Sequence, residues 1–287
     1  MGLCSFGEVY LVHKSGGVDD GTLYAMKYRT ERGLLQKGLE APFLVGVYYE
    51  FQTQRKLCLV QEYYAGGDLL DVLREWGGVF SVDETRLYLA EIIEAVEYLH
   101  KLRVIHRDLK LQNIFVDAEG HIAVADYGLC KDFAWTKKEV DWWSVGVMAF
   151  EMMIGRTPFQ SHEDKSDEAL FLNILYRNPD IPLSFSDFES DFMRRMLEKD
   201  PRVRLGGGKG GVDEMKEHPF FDGINWDDVS RRKLVMPHAL DSEWEDLVDF
   251  EVVLENEVSF LRPGDEGGNI NEACSYIAPV LMRNGSY

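Results

Sequence analysis

The run His106-Arg107-Asp108-Leu109-Lys110-Leu111-Gln112-Asn113, followed by Asp126-Tyr127-Gly128, gathers in one short interval the residue types that phosphoryl transfer needs. That reaction takes little covalent chemistry from a protein, but it needs a carboxylate beside the attacking hydroxyl and oxygen ligands for Mg²⁺. Asp108 can accept the hydroxyl proton, and Lys110 can set a positive charge beside the transferring group. Asn113 offers a neutral oxygen to a metal. Asp126 closes the apolar run His121-Ile122-Ala123-Val124-Ala125, which has strand composition, and so presents a hard anionic ligand at a strand's end. Either piece alone arises by chance in loops; both at this spacing point to an assembled site.

The flanking sequence must position these groups. Residues 1 to 62 read as strands with one helix: Val9 to Val12, Leu23 to Tyr28, and Phe51 to Val60 as two strands around a polar turn at Gln52 to Lys56. Helical patterns follow. Ser81-Val82-Asp83-Glu84 is a capping box, and Leu89, Ile92, Ile93, Val96 and Leu99 form the apolar face of a helix that ends beside the catalytic run. Asp141 to Gly155 is apolar nearly all round, which predicts a buried central helix carrying that run on its back. Ser186-Asp187-Phe188-Glu189 caps a further helix running to Lys199, with Asp200-Pro201 as its stop. The cluster Gly206 to Gly211 is no P-loop, because Gly210 after Lys209 brings no hydroxyl to a metal and the cluster follows a helix; it reads as a flexible connector.

A chain of 287 residues is long enough for two packed lobes. A net charge of −19 argues against a direct nucleic-acid partner and suits basic ones. From Leu240 to Tyr287 there are eleven acidic residues against two arginines, a solvated tail or one that attracts a basic substrate. No membrane span and no secretory signal are expected. The cysteines at 4, 58, 130 and 274 have neither metal nor disulfide spacing, which implies a reduced, intracellular compartment and an idle sequon at Asn284.

These motifs resemble those of the eukaryotic protein kinases. Gly2-Leu3-Cys4-Ser5-Phe6-Gly7-Glu8-Val9 resembles the glycine-rich loop, Ala25-Met26-Lys27 the strand lysine, and Glu62-Tyr63-Tyr64 the hinge, with Gln61 at the back of the pocket. Glu40 to Val45, Asp126 to Lys131, Asp141 to Gly146 and Asp200 to Gly206 resemble the AGC group. The stretches Asp213 to Phe221, Ile224 to Asp228 and Ser275 to Pro279 are most similar to the N-terminal catalytic domain of mitogen- and stress-activated tandem kinases. The resemblance implies an α+β, bilobal fold: an N-lobe at 1–62, a C-lobe at 63–221 and a C-terminal extension at 222–287. It implies a serine/threonine kinase using ATP and Mg²⁺. Asp108, Lys110, Lys27 and Glu31 would be catalytic, Asn113 and Asp126 the metal ligands. Gly2, Ser5, Phe6, Gly7, Val9, Ala25, Lys27, Glu62, Tyr64, Asp68 and Phe115 would hold the nucleotide, Asp68 through the ribose unless it only caps the following helix. His106 and Tyr127 would stack structurally with Leu35 and Val47. Expected partners are a basic protein substrate and an upstream activating kinase, in the cytoplasm, the nucleus or both.

The chain departs from that pattern in several places. Cys4 replaces a loop glycine, and only three residues separate Lys27 from Glu31. Twelve residues between Gly128 and Asp141 contain no Ala-Pro-Glu, which leaves Arg204 without an evident partner. The rival expectation is therefore a pseudokinase that binds nucleotide or partners without turnover. A simpler one is that segments of a longer protein are missing here, with joins at Arg29-Thr30 and Thr136-Lys137. Gln112 in place of a glutamate weakens the expected preference for upstream arginine. Asn271 and Cys274, at the aromatic positions of the regulatory motif around Ser275-Tyr276, argue against the usual activation by the tail, in which Phe250 would dock near the nucleotide.

Overall fold

The computed structural model describes residues 2–4, 7–14, 18, 21–29, 42–52, 57–126, 131–132, 138–160, 166–239 and 276–277. The chain divides into two compact units, residues 1–40, 45–63 and 241–287 in one and 41–44 and 64–240 in the other.

The first unit is built on an antiparallel sheet. Its strands are β1 (Gly2–Cys4), β2 (Gly7–His13), β3 (Leu23–Arg29), β4 (Val47–Gln52), β5 (Leu57–Glu62) and β10 (Tyr276–Ile277), in the order β1-β2-β3-β5-β4-β10. Strands β2 and β3 are each slightly longer than read, whereas the pair expected within Phe51 to Val60 is displaced, β4 starting four residues earlier at Val47 and ending at Gln52, and β5 running on to Glu62. Side chains alternate across a strand. Tyr24 and Met26 therefore join Val60 in a small core, against which Val12, Tyr48 and Tyr49 pack. The intervening Ala25 and Lys27 fall on the opposite face, with Lys27 in register with Val9 on one side and Leu59 on the other.

The second unit is mainly helical. Its helices are α1 (Leu69–Glu75), α2 (Val82–Lys101), α3 (Glu139–Ile154), α4 (Asp167–Tyr176), α5 (Asp187–Met196), α6 (Gly211–Lys216) and α7 (Trp226–Ser230). The capping box at Ser81 forms as expected: the Ser81 N–H donates to Glu84 Oε2 at 2.7 Å, and the Glu84 N–H to Ser81 Oγ at 3.2 Å. A second box at Ser186 starts α5. Helix α3 is the buried central helix, with Trp142, Val145, Met148, Ala149, Phe150 and Met152 shielded from solvent, and Gly155 closes it at φ 74°. The unit also holds two short ladders, β6 (Val104–Ile105) with β9 (Lys131–Asp132) and β7 (Ile114–Val116) with β8 (Ile122–Val124), of which β6 and β8 pack against α2. No helix among the described residues is long and apolar enough to cross a membrane.

Two expectations are corrected here. Helix α5 ends at Met196 rather than Lys199. The carbonyls of Glu198 and Lys199 are turned toward the Arg204 guanidinium, at 2.9 and 3.4 Å, and Pro201 has no N–H with which to extend the helix. The glycine cluster is a packed turn rather than a flexible connector. A Cβ on Gly206, which has φ 82°, would lie 2.5 Å from Met215 Cε and 3.0 Å from the Trp142 ring, and one on Gly207 would lie 2.3 Å from the Pro201 carbonyl.

Candidate active site

The catalytic loop leaves β6 and is held from below by α3. Asp141, fully buried, accepts the N–H groups of His106 at 2.9 Å and Arg107 at 2.8 Å, and its Oδ2 lies 2.8 Å from His100 Nε2 at the end of α2. The end of α2, the loop after β6 and the first turn of α3 thus meet on one carboxylate. Arg107 is held at φ 70°, a left-handed conformation uncommon for a side chain of its size. His106 is buried, and its ring is oriented by two contacts. The Asp108 N–H donates to Nδ1 at 3.3 Å, so Nε2 carries the proton and donates to the Ala125 carbonyl at 2.7 Å. Burial holds the His106 pKa below its ordinary value, although the Ala125 hydrogen bond and nearby carboxylates act the other way. The ring is a neutral spacer between the catalytic loop and the end of β8.

Around Asp108 the expected residues converge. Lys110 Nζ lies 2.8 Å from Asp108 Oδ2, and the Asn113 amide nitrogen donates to the Asp108 carbonyl at 2.7 Å and to Oδ2 at 3.1 Å. A 3₁₀ turn at Leu111–Asn113, closed by the Asn113 N–H on the Lys110 carbonyl at 2.9 Å, brings Asn113 back under the loop. The hairpin β7–β8 then carries the chain from Asn113 out and back toward Asp126. The Ala125 N–H donates to the Asn113 carbonyl at 2.8 Å, which pins the two limbs together at the open end. Asp126 follows at φ 64°, with its Oδ1 shielded from solvent. With its nitrogen committed to Asp108, the Asn113 amide directs its oxygen elsewhere. One amide oxygen and one carboxylate at the same end of a hairpin suit a hard cation such as Mg²⁺, which takes few protein oxygens and keeps several waters.

The residues after Tyr64 are zipped to the same hairpin. The Gly66 N–H donates to the Val116 carbonyl and the Val116 N–H to the Gly67 carbonyl, both at 3.0 Å. A Cβ on Gly66 would lie 2.7 Å from the Val116 oxygen, and Gly67 has φ 71°, so this approach requires both glycines. Tyr64 stacks on Phe115 with ring centroids 6.1 Å apart. Asp68 is the N-cap of α1: its Oδ1 accepts from the Leu70 and Asp71 N–H groups, both at 3.0 Å. Burial nevertheless raises its pKa above the ordinary value. The capping role is formed, and one oxygen is committed to it.

In the first unit, Lys27 is 6% exposed on the face of β3 opposite the small core, and its register partner Val9 shares that face. Ala25 lies two residues before it, paired with Leu11 and Gln61. Gly2 and Gly7 lie in β1 and β2, Gly2 in register with Val9. The Glu62 N–H donates to the Gly46 carbonyl at 3.1 Å, which ends β5. Ser5, Phe6, Glu31, Leu35, Tyr127, Phe250 and Ser275 lie outside the described residues.

The expectation that Arg204 lacks a partner is corrected. Arg204 is 6% exposed, and its guanidinium is held by the carbonyls of Glu198, Glu139 and Lys199, at 2.9, 2.5 and 3.4 Å, and lies 4.9 Å from the centre of the Trp143 ring. Backbone carbonyls just past the end of α5 and in the first turn of α3 take the place of a carboxylate ligand. Sequence reasoning also missed Asp141 and His100 as parts of the site. Asp141 is legible as an acidic residue in the first turn of an apolar helix, but its partners lie 34 to 41 residues away.

The protein kinase domain model matches residues 5–138 and 134–221, breaking and restarting just before α3. Mouse ribosomal protein S6 kinase alpha-4 is 38% identical over 280 residues, covering 83% of this chain and 36% of that protein. The RAC-beta serine/threonine-protein kinase B of Xenopus laevis is 37% identical over 276 residues, covering 83% of this chain and 55% of that protein. The chain therefore spans about a third to a half of the length of these relatives. The 280 positions aligned with the mouse protein draw on only 83% of the 287 residues, so that relative carries about forty residues within the matched span that have no counterpart here.

Proposed function

The chain belongs to the protein kinase family, in its AGC group, and from that premise we propose that it is a serine/threonine kinase transferring the γ-phosphoryl group of ATP to hydroxyls of protein substrates. The observation that carries the proposal is the bonded set Asp108, Lys110 and Asn113, with Asp126 at the hairpin end beside it. Asp108 orients the attacking hydroxyl and takes up its proton. Lys110, already bonded to Asp108 Oδ2, stays within reach of phosphate charge as it develops, and that charge, not covalent chemistry, is what a kinase must stabilise. Lys27 would contribute a second positive charge, with Glu31 as its expected partner. Asn113 and Asp126 would hold Mg²⁺, which when bound neutralises phosphate oxygens. Gly2, Ser5, Phe6, Gly7, Val9 and Ala25 would enclose the nucleotide, Glu62 and Tyr64 would meet the adenine edge through their backbone, Phe115 would pack on the base, and Asp68 would offer its remaining oxygen to the ribose. The lobes would divide at about residue 62, with an extension from about 222. The acidic surface suits a basic protein substrate, an upstream kinase would activate the protein, and it would work in the cytoplasm, the nucleus or both.

Nucleotide binding tests the site independently of turnover. Calorimetry of ATP binding across a Mg²⁺ titration is expected to show that Asp126→Asn weakens the Mg²⁺-dependent part about tenfold or more, and that Lys27→Met weakens binding with and without metal. Binding that neither substitution alters would refute the assignment.

A further inference from the structure

The two proposed metal ligands sit at the open end of a hairpin whose strands are only three residues each, too short to fix their own pose. What grips the closed end therefore matters. There the Asp117 N–H donates to the His121 carbonyl at 2.9 Å, and Asp117 Oδ1 accepts the His121 N–H at 2.8 Å. Helix α2 holds this turn through Glu91, which is fully buried. Its Oε1 lies 2.5 Å from His121 Nδ1, and its Oε2 accepts the Ile122 N–H at 3.0 Å.

A second grip comes from the chain after α7. Arg232, at φ 54°, makes an ion pair with Asp117 Oδ2. Its other terminal nitrogen donates to the Pro42 carbonyl at 2.7 Å, and the guanidinium lies over the Phe43 ring. The segment Pro42–Leu44 is itself tied to β8, since the Phe43 carbonyl accepts the Val124 N–H at 2.8 Å and Leu44 bridges to Val124. One side chain thus joins three segments, the hairpin turn, the stretch that bridges to β8, and the start of the C-terminal region. That region continues over the turn. The Pro237 carbonyl accepts from Tyr88 Oη at 3.1 Å and would lie 2.8 Å from a Cβ on Gly120, while the His238 ring sits among Trp76, Phe80 and Tyr88.

We propose that Arg232 is a positioning residue for the metal site, setting the tilt of the β7–β8 hairpin and so the spacing of Asn113 and Asp126. The hairpin acts as a lever. Three to four residues separate the turn from the open end, about 10 Å at strand rise, so a tilt of about 5° moves the ligands by about 1 Å. The inference rests on the reading of Asn113 and Asp126 as metal ligands.

The test is the Mg²⁺ dependence of ADP binding to the full chain, followed by calorimetry, with thermal unfolding measured in parallel. Arg232→Ala is expected to raise the Mg²⁺ concentration for half-maximal coupling about fivefold, while metal-free ADP affinity stays unchanged. Asp117→Asn should do the same, the double variant should go no further, and Arg232→Lys should restore most of the loss. If Arg232→Ala does not fold, Asp117→Asn carries the comparison alone. A fall in unfolding temperature with no change in Mg²⁺ dependence would overturn the proposal and leave a purely structural strap. Asp126→Asn separates the two layers: if it too leaves the Mg²⁺ dependence unmoved, the metal assignment fails, whereas if it alone moves the dependence, only the role of Arg232 fails.

Discussion

Replacing Asp141 by Asn exchanges an oxygen for an NH₂ group at the point where the catalytic loop rests on α3. Oδ2 serves two donors, His106 N–H and His100 Nε2, and Oδ1 serves the Arg107 N–H. The best orientation of an amide keeps its oxygen on the side with two donors, so its NH₂ faces the Arg107 N–H, donor against donor. One charge-assisted bond in a fully buried site is then lost, worth about 1.5 to 3 kcal/mol, and the remaining two weaken because the acceptor is neutral. A loss of about 3 kcal/mol is expected. Arg107 is held at φ 70° by that same bond. A strained conformation of this kind costs about 1 to 3 kcal/mol, so the loop relaxes when the bond goes. Asp108 is the next residue, and a displacement near 1 Å at a catalytic group costs about a hundredfold in rate. In urea unfolding of the full-length protein, Asp141→Asn should lower stability by about 2 to 3 kcal/mol with an unchanged denaturant slope, and kcat should fall about a hundredfold while nucleotide affinity holds within about twofold. A stability change below about 0.5 kcal/mol with kcat intact would refute the reasoning, because it would mean that the three donors do not depend on the carboxylate.

Gly206→Ala should destabilise by about 2 to 3 kcal/mol, since the new methyl meets Met215 and Trp142 in a backbone conformation at φ 82°; a shift under about 0.5 kcal/mol in chemical unfolding would restore the flexible reading of the glycine cluster. His238, whose pKa burial holds below the ordinary 6.5 despite Glu84 beside it, stays neutral in the fold while the unfolded chain takes up the proton as pH falls below that value. Its stabilising share is therefore present above pH 6.5 and lost on acidification, so the stability of His238→Phe relative to the parent should rise between pH 7.5 and pH 5.5, and a difference that is flat with pH would contradict this. An intact mass of the natural protein above 33.0 kDa is expected if the residues present in relatives but without counterpart here were left out before α3 or after β3; a mass of 33.0 kDa would sink that account.

Much of this architecture is legible in the sequence where its causes are local. Ser81 and Ser186 announce their helices because each capping box closes within four residues. The chemistry of Asp108, Lys110 and Asn113 is readable because a single turn brings contiguous residues together. What escaped depends on distant partners or on backbone groups, which residue letters do not express. Arg204 looked orphaned because its ligands are carbonyls, and the glycine cluster looked loose because Met215, Trp142 and Pro201 close on it from elsewhere. Asp141 carries its meaning in amides 34 and 35 residues upstream. Asp68 shows the opposite case, since a cap is predictable from one residue and its neighbours, and the cap is what formed.

The most direct test of the central claim is transfer of labelled phosphate from ATP to a basic serine or threonine peptide by the full-length protein, with Asp108→Asn as control and the mass of the same sample recorded. Transfer that Asp108→Asn abolishes is the predicted result. Measurable Mg²⁺-dependent nucleotide binding with no transfer, in a sample of 33.0 kDa, would contradict it and make the protein a pseudokinase.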